Sequence, residues 1–249
     1  MNMPIGSKII HLNSVDSTSN YAAMMVSDGK AAHGTVILAD EQTAGRGQRG
    51  SHWQSEGGSN LLLSVIVKPD NLSVDRQFTL TQIVSLAVLD LLGKIGISAQ
   101  IKWPNDIYVG DRKICGMLIE NTISGGLIQT SIVGVGLNVN QENFALDSAT
   151  SIKLETGETK NIQEVLFSFI SSLNGQYQRW LFQGEEGIKA NYCEQLLGIG
   201  ELRKYEDAIG EFHGELIGVE GNGRLRLRVE GRERSYEMKE IRFIFRNAF

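Results

Sequence analysis

Four stretches of this sequence place groups suited to handling an anion or a polar head group at short spacing. In Gly45-Arg46-Gly47-Gln48-Arg49-Gly50, glycines alternate with long polar side chains. Glycine lets backbone N–H groups turn toward an anion, and arginine offers a planar fork to phosphate or carboxylate. The pattern is neither GxGxxG nor GxxxxGK(S/T), so a flexible surface loop is the competing reading. Lys102-Trp103-Pro104-Asn105-Asp106, followed by Lys113 and Gly116, reads as strand–turn–strand. Taken singly, each lysine is a solvated charge, Trp103 a core residue and Asn105-Asp106 a turn. Taken together, with Gly116 allowing close approach beside Lys113, they suit activation of a carboxylate. Asp16-Ser17-Thr18-Ser19-Asn20 is a helix N-cap, or a row of hydroxyls that holds a polar head group there. Gly134-Val135-Gly136-Leu137-Asn138-Val139-Asn140 is either a bulge or a strand that something approaches closely.

Other chemistries lack their residues. His11, His33, His52 and His213 have no metal-ligand spacing, which predicts no structural zinc. There is no GxSxG elbow. Cys115 lies in an apolar run and reads as a buried thiol, and 2 distant cysteines make no disulfide framework.

The elements that must position these groups follow from periodicity. Short apolar strands are predicted at Ile9–Leu12 and Thr35–Ala39, with a helix between them whose inner face carries Tyr21, Ala22, Met24 and Met25. A glycine-rich loop spans Thr43–Ser59, and Leu61–Val67 is a buried strand. Apolar residues from Phe78 to Ile95 recur at helical spacing, as do those from Ile162 to Trp180. Strands are predicted at Ile114–Ile119 and Leu127–Val139. Beyond about Gly198 the texture becomes short β segments, Ile209–Val219, Arg224–Val229 and Glu233–Met238, with hairpin turns at Asn222-Gly223 and Gly231. Arg224, Arg226 and Arg228 alternate with Leu225, Leu227 and Val229, the pattern of a half-buried sheet.

The 249 residues suffice for a large and a small domain, and 41% hydrophobic content suits a globular core. A net charge of −5 argues against a dedicated nucleic-acid binder. No apolar stretch approaches the roughly 20 residues needed to cross a bilayer. No signal peptide is read at the N-terminus, so a cytoplasmic location is expected.

DSTSNYA at 16–22, EQTAGRGQRGSHW at 41–53, GGSNLLLS at 57–64, KWPNDIYVGDRKICGMLIE at 102–120 and GVGLNVN at 134–140 together resemble the biotin protein ligases. The resemblance is collinear over roughly residues 8–185 and weaker beyond. It implies an α+β fold, a mixed sheet flanked by helices like the class II aminoacyl-tRNA synthetase and biotin ligase folds, with a small C-terminal SH3-like β-barrel. The implied division is a catalytic domain at 1–197 and a small β domain at 198–249. The implied activity is ATP-dependent activation of biotin to biotinyl-5'-AMP, then transfer to a lysine of a biotin carboxyl carrier protein or domain of a carboxylase. Lipoate ligases share the broad fold and give the nearest alternative, and an RNA-binding module using the Arg-Gly loop is a rival of another class.

The resemblance also implies roles. Ser17, Thr18 and Gln42 fall where the ureido ring is held, and Ser19 and Gly116 are grouped with them on the biotin side. Arg46, Gly47 and Gln48 lie in the loop that closes over biotin and the adenylate. Arg46 and Lys113 are the implied catalytic cations, and Lys113 also contacts the biotin carboxylate. Trp53, Arg49, Asn105 and Asn138, with Arg46, are implied on the nucleotide side. Mg²⁺ is expected with ATP, and Asp106 is its one candidate ligand. Two departures stand out. Ser19 follows Ser-Thr where the family often has Asn, and Gln48 replaces the middle arginine of the loop. The motifs begin at Asp16, which leads us to expect a monofunctional enzyme without a DNA-binding segment. Oligomeric state is open, with a homodimer through sheet edges as one form.

Overall fold

The computed structural model describes residues 3–145 and 148–244, apart from the Arg49 side chain. A seven-stranded mixed sheet is built from β1 (Lys8–Val15), β2 (Thr35–Gln42), β3 (Leu61–Val67), β4 (Gln100–Lys102), β5 (Asp106–Val109), β6 (Arg112–Ser124) and β7 (Leu127–Leu137). Its spatial order is β1-β2-β3-β7-β6-β5-β4. β1 and β2 are parallel, joined by α1 (Thr18–Ser27), and every other pair is antiparallel. A parallel pair needs a crossover, which α1 supplies.

β3 is buried along its whole length because both faces of the sheet are covered. Leu61, Leu63, Val65 and Val67 join the main core, which also holds residues of α2 (Phe78–Lys94) and α4 (Ile162–Glu194). Ile66 faces the other way, into a smaller cluster with Ala22 and Met25 of α1. The alternation in β7 is the same. Val133, Val135 and Leu137 enter the main core, while Ile132 faces α1. Burying one such aliphatic side chain stabilises the fold by about 1.5–3 kcal/mol, so the two-sided pattern fixes the register.

The second long helix runs well past Trp180, to Glu194. Gly184 interrupts it with φ 75° and ψ −174°, a conformation that glycine alone adopts at low cost. Its apolar spacing loosens there, which is why the periodicity of the sequence stops short. A short helix, α3 (Ile152–Thr156), was not visible in the pattern; Ser151 caps it, accepting from the Leu154 N–H.

The C-terminal segment forms an antiparallel sheet from β8 (Leu202–Glu206), β9 (Glu211–Val219), β10 (Leu225–Val229), β11 (Arg232–Tyr236) and β12 (Arg242–Phe243), in the order β11-β10-β9-β8-β12. Where a barrel is expected from the sequence, the described residues give a five-stranded sheet whose edge strands do not pair with each other. β8 was not foreseen, and Ile209, expected to open a strand, is an exposed turn residue. Leu225, Leu227 and Val229 are buried, whereas Arg224, Arg226 and Arg228 pair with Glu237, Glu233 and Glu215. The core cluster runs continuously from the first sheet into the second. The indole N–H of buried Trp103 also donates to the Gly223 carbonyl at 2.9 Å. Among the described residues no helix is long and apolar enough to cross a membrane.

Candidate active site

The faces of β3, β6 and β7 that look toward α1 frame a cleft of about 190 Å³. Its floor is short of side chains because Gly116, Gly134 and Gly136 occupy it. Added Cβ atoms there would lie 2.9 Å from Trp53 Cζ3, 2.8 Å from Ser19 Oγ and 2.5 Å from Trp53 Cε2 respectively. The strand glycines therefore serve the close approach read from the sequence, and the group that approaches two of them is the Trp53 indole.

One end of the cleft is a cluster of hydroxyls at the start of α1. Ser17 is the N-cap, in extended backbone, and its hydroxyl accepts from the Ser19 N–H at 3.3 Å. The Thr18 N–H and hydroxyl both donate to Gln42 Oε1, at 2.8 and 3.1 Å. Ser64, in the middle of β3, lies 2.8 Å from the Thr18 hydroxyl and 3.0 Å from the Ser19 hydroxyl. All four hydroxyl residues are buried. Sequence reasoning missed Ser64; its only signal was one polar residue in the otherwise apolar run Leu61–Val67. Buried polar groups cost free energy unless paired, so a serine retained there indicates a polar neighbour.

Beyond the glycine floor lies Lys113. Lys113 Nζ lies 2.7 Å from Asp106 Oδ1 and 5.6 Å from the Trp53 ring centroid. A β-bulge brings Lys113 to this face. β5 and β6 pair Ile107 with Cys115 but Tyr108 with Lys113, so the register shifts by one residue. Bulges re-aim side chains in this way. Without the shift, Lys113 and Gly116, three positions apart, would point to opposite faces. Lys102 is not in this cleft. It stacks over Tyr108, 4.9 Å from the ring centroid, and burial lowers its pKa, with Lys113 adding repulsion and Asp106 opposing it. Cys115 is buried, as read from the sequence, and burial pushes its thiol pKa up.

Arg46 lines the mouth of the cleft. Its Nη1 and Nη2 donate to Glu120 Oε2 and Oε1 at 3.0 and 2.5 Å, and Nη1 also donates to Asn20 Oδ1 at 3.0 Å. Asn20 in turn donates to Asp16 at 2.6 Å, the largest influence lowering the Asp16 pKa. Gly47 and Gln48 line the cleft beside Arg46, with Ser51 bonded back to the Gln48 carbonyl.

Thus Ser17, Thr18, Ser19, Gln42, Arg46, Gly47, Gln48, Trp53, Asn105, Lys113 and Gly116 converge on one cleft. Within it, Asn105 has a structural engagement: its side-chain N–H donates to the Met117 carbonyl, pinning the turn against β6. Asn138 is not brought to the cleft. Its amide donates to the Thr150 carbonyl at 2.9 Å, tying β7 to the start of α3. The Arg49 side chain lies outside the described residues. No group of three His, Cys, Asp or Glu side chains suited to a metal occurs among the described residues. Asp106 lines the cleft as a single carboxylate. That fits a Mg²⁺ carried in on phosphates, which takes one or two protein carboxylates and fills the rest of its shell from substrate and water.

The profile of the Biotin/lipoate A/B protein ligase family matches residues 12–138, the segment that supplies every strand of the cleft. The chain belongs to this family. Members similar to it include the bifunctional ligase/repressor BirA of Bacillus spizizenii, 30% identical over 232 residues, spanning 91% of this chain and 71% of that protein. The biotin--[acetyl-CoA-carboxylase] ligase of Paracoccus denitrificans is 30% identical over 226 residues, spanning 86% of this chain and 91% of that one. Among solved structures, the biotin protein ligase of Aquifex aeolicus in complex with biotin and ATP matches with a TM-score of 0.78 and 27% identity, covering 96% of this chain and 100% of that chain. The ligase family's fold thus extends over the second sheet as well as the first.

Proposed function

We propose that this chain is a biotin protein ligase. It activates biotin with ATP to biotinyl-5'-AMP and transfers the biotinyl group to a lysine of a carboxylase carrier domain. The observation that carries this reading is one cleft that holds a buried hydroxyl cluster with Gln42 beside it, Lys113 beyond the glycine floor and Arg46 at the mouth. That arrangement suits a neutral polar ring system with an anionic tail.

The ureido group needs each donor and acceptor paired once it leaves water. Ser17, Thr18, Ser19 and Gln42 supply hydroxyls and an amide for it, and Gly116 leaves room on the floor. The acid's carboxylate then extends toward Lys113. Its oxygen attacks the α-phosphorus of ATP; the new P–O bond forms as the bond to pyrophosphate breaks. Two anions must meet, so Lys113 and Arg46 lower the barrier by offsetting charge as it develops. Asp106 would hold a Mg²⁺ brought in with ATP, which would supply further positive charge there. Holding both reactants aligned contributes about 7–11 kcal/mol in well-oriented systems. Trp53, Asn105 and Arg49 belong on the nucleotide side in this reading. The loop of Gly47 and Gln48 closes to exclude water from the anhydride. The carrier amine then attacks the acyl carbon, the C–O bond to phosphate breaks, AMP leaves and the amine loses a proton. No protein nucleophile is needed. Residues 1–197 carry this chemistry, and 198–249 form the accessory β domain.

ATP–pyrophosphate exchange with biotin, lipoate or no acid tests the reading. Exchange with biotin alone is expected; exchange only with lipoate points to the other branch of the family.

A further inference from the structure

The guanidinium of Arg46 is held at one end and unengaged at another. An arginine has five N–H donors and two edges that accept an oxyanion in a bidentate fashion, Nη1/Nη2 and Nε/Nη2. Glu120 takes the first edge, at 3.0 and 2.5 Å, and Asn20 takes the remaining Nη1 hydrogen. Among the described residues nothing engages the second edge. Glu120 itself does not line the cleft. It stands on β6 two residues beyond Leu118 and four beyond Gly116, on the same face as both. β6 also carries Lys113.

The loop that bears Arg46 is fixed at its two ends, by the Thr43 and Ala44 N–H groups on the Val15 and Asp16 carbonyls and by the Trp53 indole over Gly116 and Gly136, and more loosely at its tip. Its local bonds are a bridge between Arg46 and His52, the Trp53 N–H to the Gly45 carbonyl and the turn at Gln48–Ser51. These close the loop on itself, and among the described residues it is the Arg46 side chain that ties its tip to the sheet by charge. Gln48 contributes no second cation.

We propose that Glu120 is a positioning residue for the adenylation reaction. It anchors Arg46 to the strand that bears Lys113, so that the Nε/Nη2 edge is presented as a ready fork for the anionic adenylate. Asn20 sets the angle of the fork from the α1 side. Glu120 acts through Arg46 and touches no substrate. This inference rests on the ligase reading above.

The test compares wild-type protein with Glu120→Gln and Glu120→Ala, and uses Glu120→Asp as the conservative variant. Two quantities decide the test: release of preformed biotinyl-adenylate, and amide exchange of residues 43–53 in the empty protein. Loss of the anchor is expected to speed adenylate release roughly 3- to 10-fold, the range of a charge-assisted pair that is partly exposed. Glu120→Asp should recover part of that loss. Exchange in the loop should rise in Glu120→Ala, with the melting temperature nearly unchanged because the pair is exposed. KM for biotin should move less than the release rate, since the hydroxyl end of the cleft is untouched. Release and loop exchange both equal to wild type would overturn the proposal and leave the ligase reading intact. If wild-type protein fails to make the adenylate, the ligase reading falls instead, and loop exchange alone then decides whether Glu120 anchors Arg46. Should Glu120→Ala misfold, Glu120→Gln, which keeps the shape and removes the charge, gives the same two readouts.

Discussion

Lys113 Nζ sits 2.7 Å from Asp106 Oδ1, and a register shift of one residue between β5 and β6 makes that meeting possible. The two side chains retain 31% and 24% exposure, so neither charge is fully stripped of water. The pair is available for exchange: a carboxylate or phosphate entering the cleft can take Lys113 from Asp106. Lys113→Ala should therefore lower kcat/KM for adenylation by about 10²–10³, the loss typical of a removed electrostatic stabiliser. Unfolding should shift by only about 2–4 °C, as for a loss near 1 kcal/mol in a chain of this size. Pyrophosphate exchange and thermal melts on one preparation check both. Activity and folding lost in proportion would contradict the catalytic role.

Ser64 lies beneath both Thr18 and Ser19, and its removal takes one partner from the buried Ser19 hydroxyl and leaves the Thr18 hydroxyl with Gln42 alone. Ser64→Ala is expected to destabilise the fold by about 1–3 kcal/mol. KM for biotin should rise while kcat changes less, because the cluster holds the ring and not the reacting end. Denaturant melts and steady-state kinetics measure the two effects.

The Cβ of Gly136→Ala would stand 2.5 Å from Trp53 Cε2, so the indole must move. A displacement near 1 Å at a site of this kind can cost about 10²-fold. We expect KM for ATP to rise and the Trp53 emission to shift. Unchanged kinetics with both substrates would mean the indole takes no part in binding.

Backbone amides in Thr43–Ser59 should exchange more slowly once biotin or its adenylate is bound. Hydrogen exchange with and without ligand checks this, and equal protection in both states would remove the closing role of the loop.

His33 is buried under Tyr177, and its Nδ1 lies 3.0 Å from the Lys68 N–H. Burial lowers its pKa below the ordinary 6.5. The unfolded chain then binds the proton first, so folding stability falls as pH drops from about 6.5 toward the depressed folded value. Melts of wild type and His33→Gln between pH 5 and 8 should show the wild type losing more stability on the acid side. Parallel curves would mean that His33 carries no such penalty.

Much of the site was legible from local pattern, because local pattern reports local forces. The run Leu61–Val67 is buried on both faces as its composition demands, and the apolar spacing of Phe78–Lys94 gives its helix. Ser17 caps a helix, and the glycines at 116, 134 and 136 mark a close approach. What approached them was not legible. Trp53 over Gly136, Ser64 under Thr18 and Glu120 against Arg46 join positions 46 or more residues apart, up to 83 for the first (136 − 53). Such meetings depend on strand order and register, which are set by how whole faces are buried together. Asn138 shows the converse. Its motif suggested a ligand contact, but the turn after β7 needs a donor for the Thr150 carbonyl, and the amide is used there. The sequence by itself determined which residue types could form a site and which elements carry them. Only the tertiary structure decided which of them share a face, because one bulge or one strand crossing moves a side chain from one side of the sheet to the other.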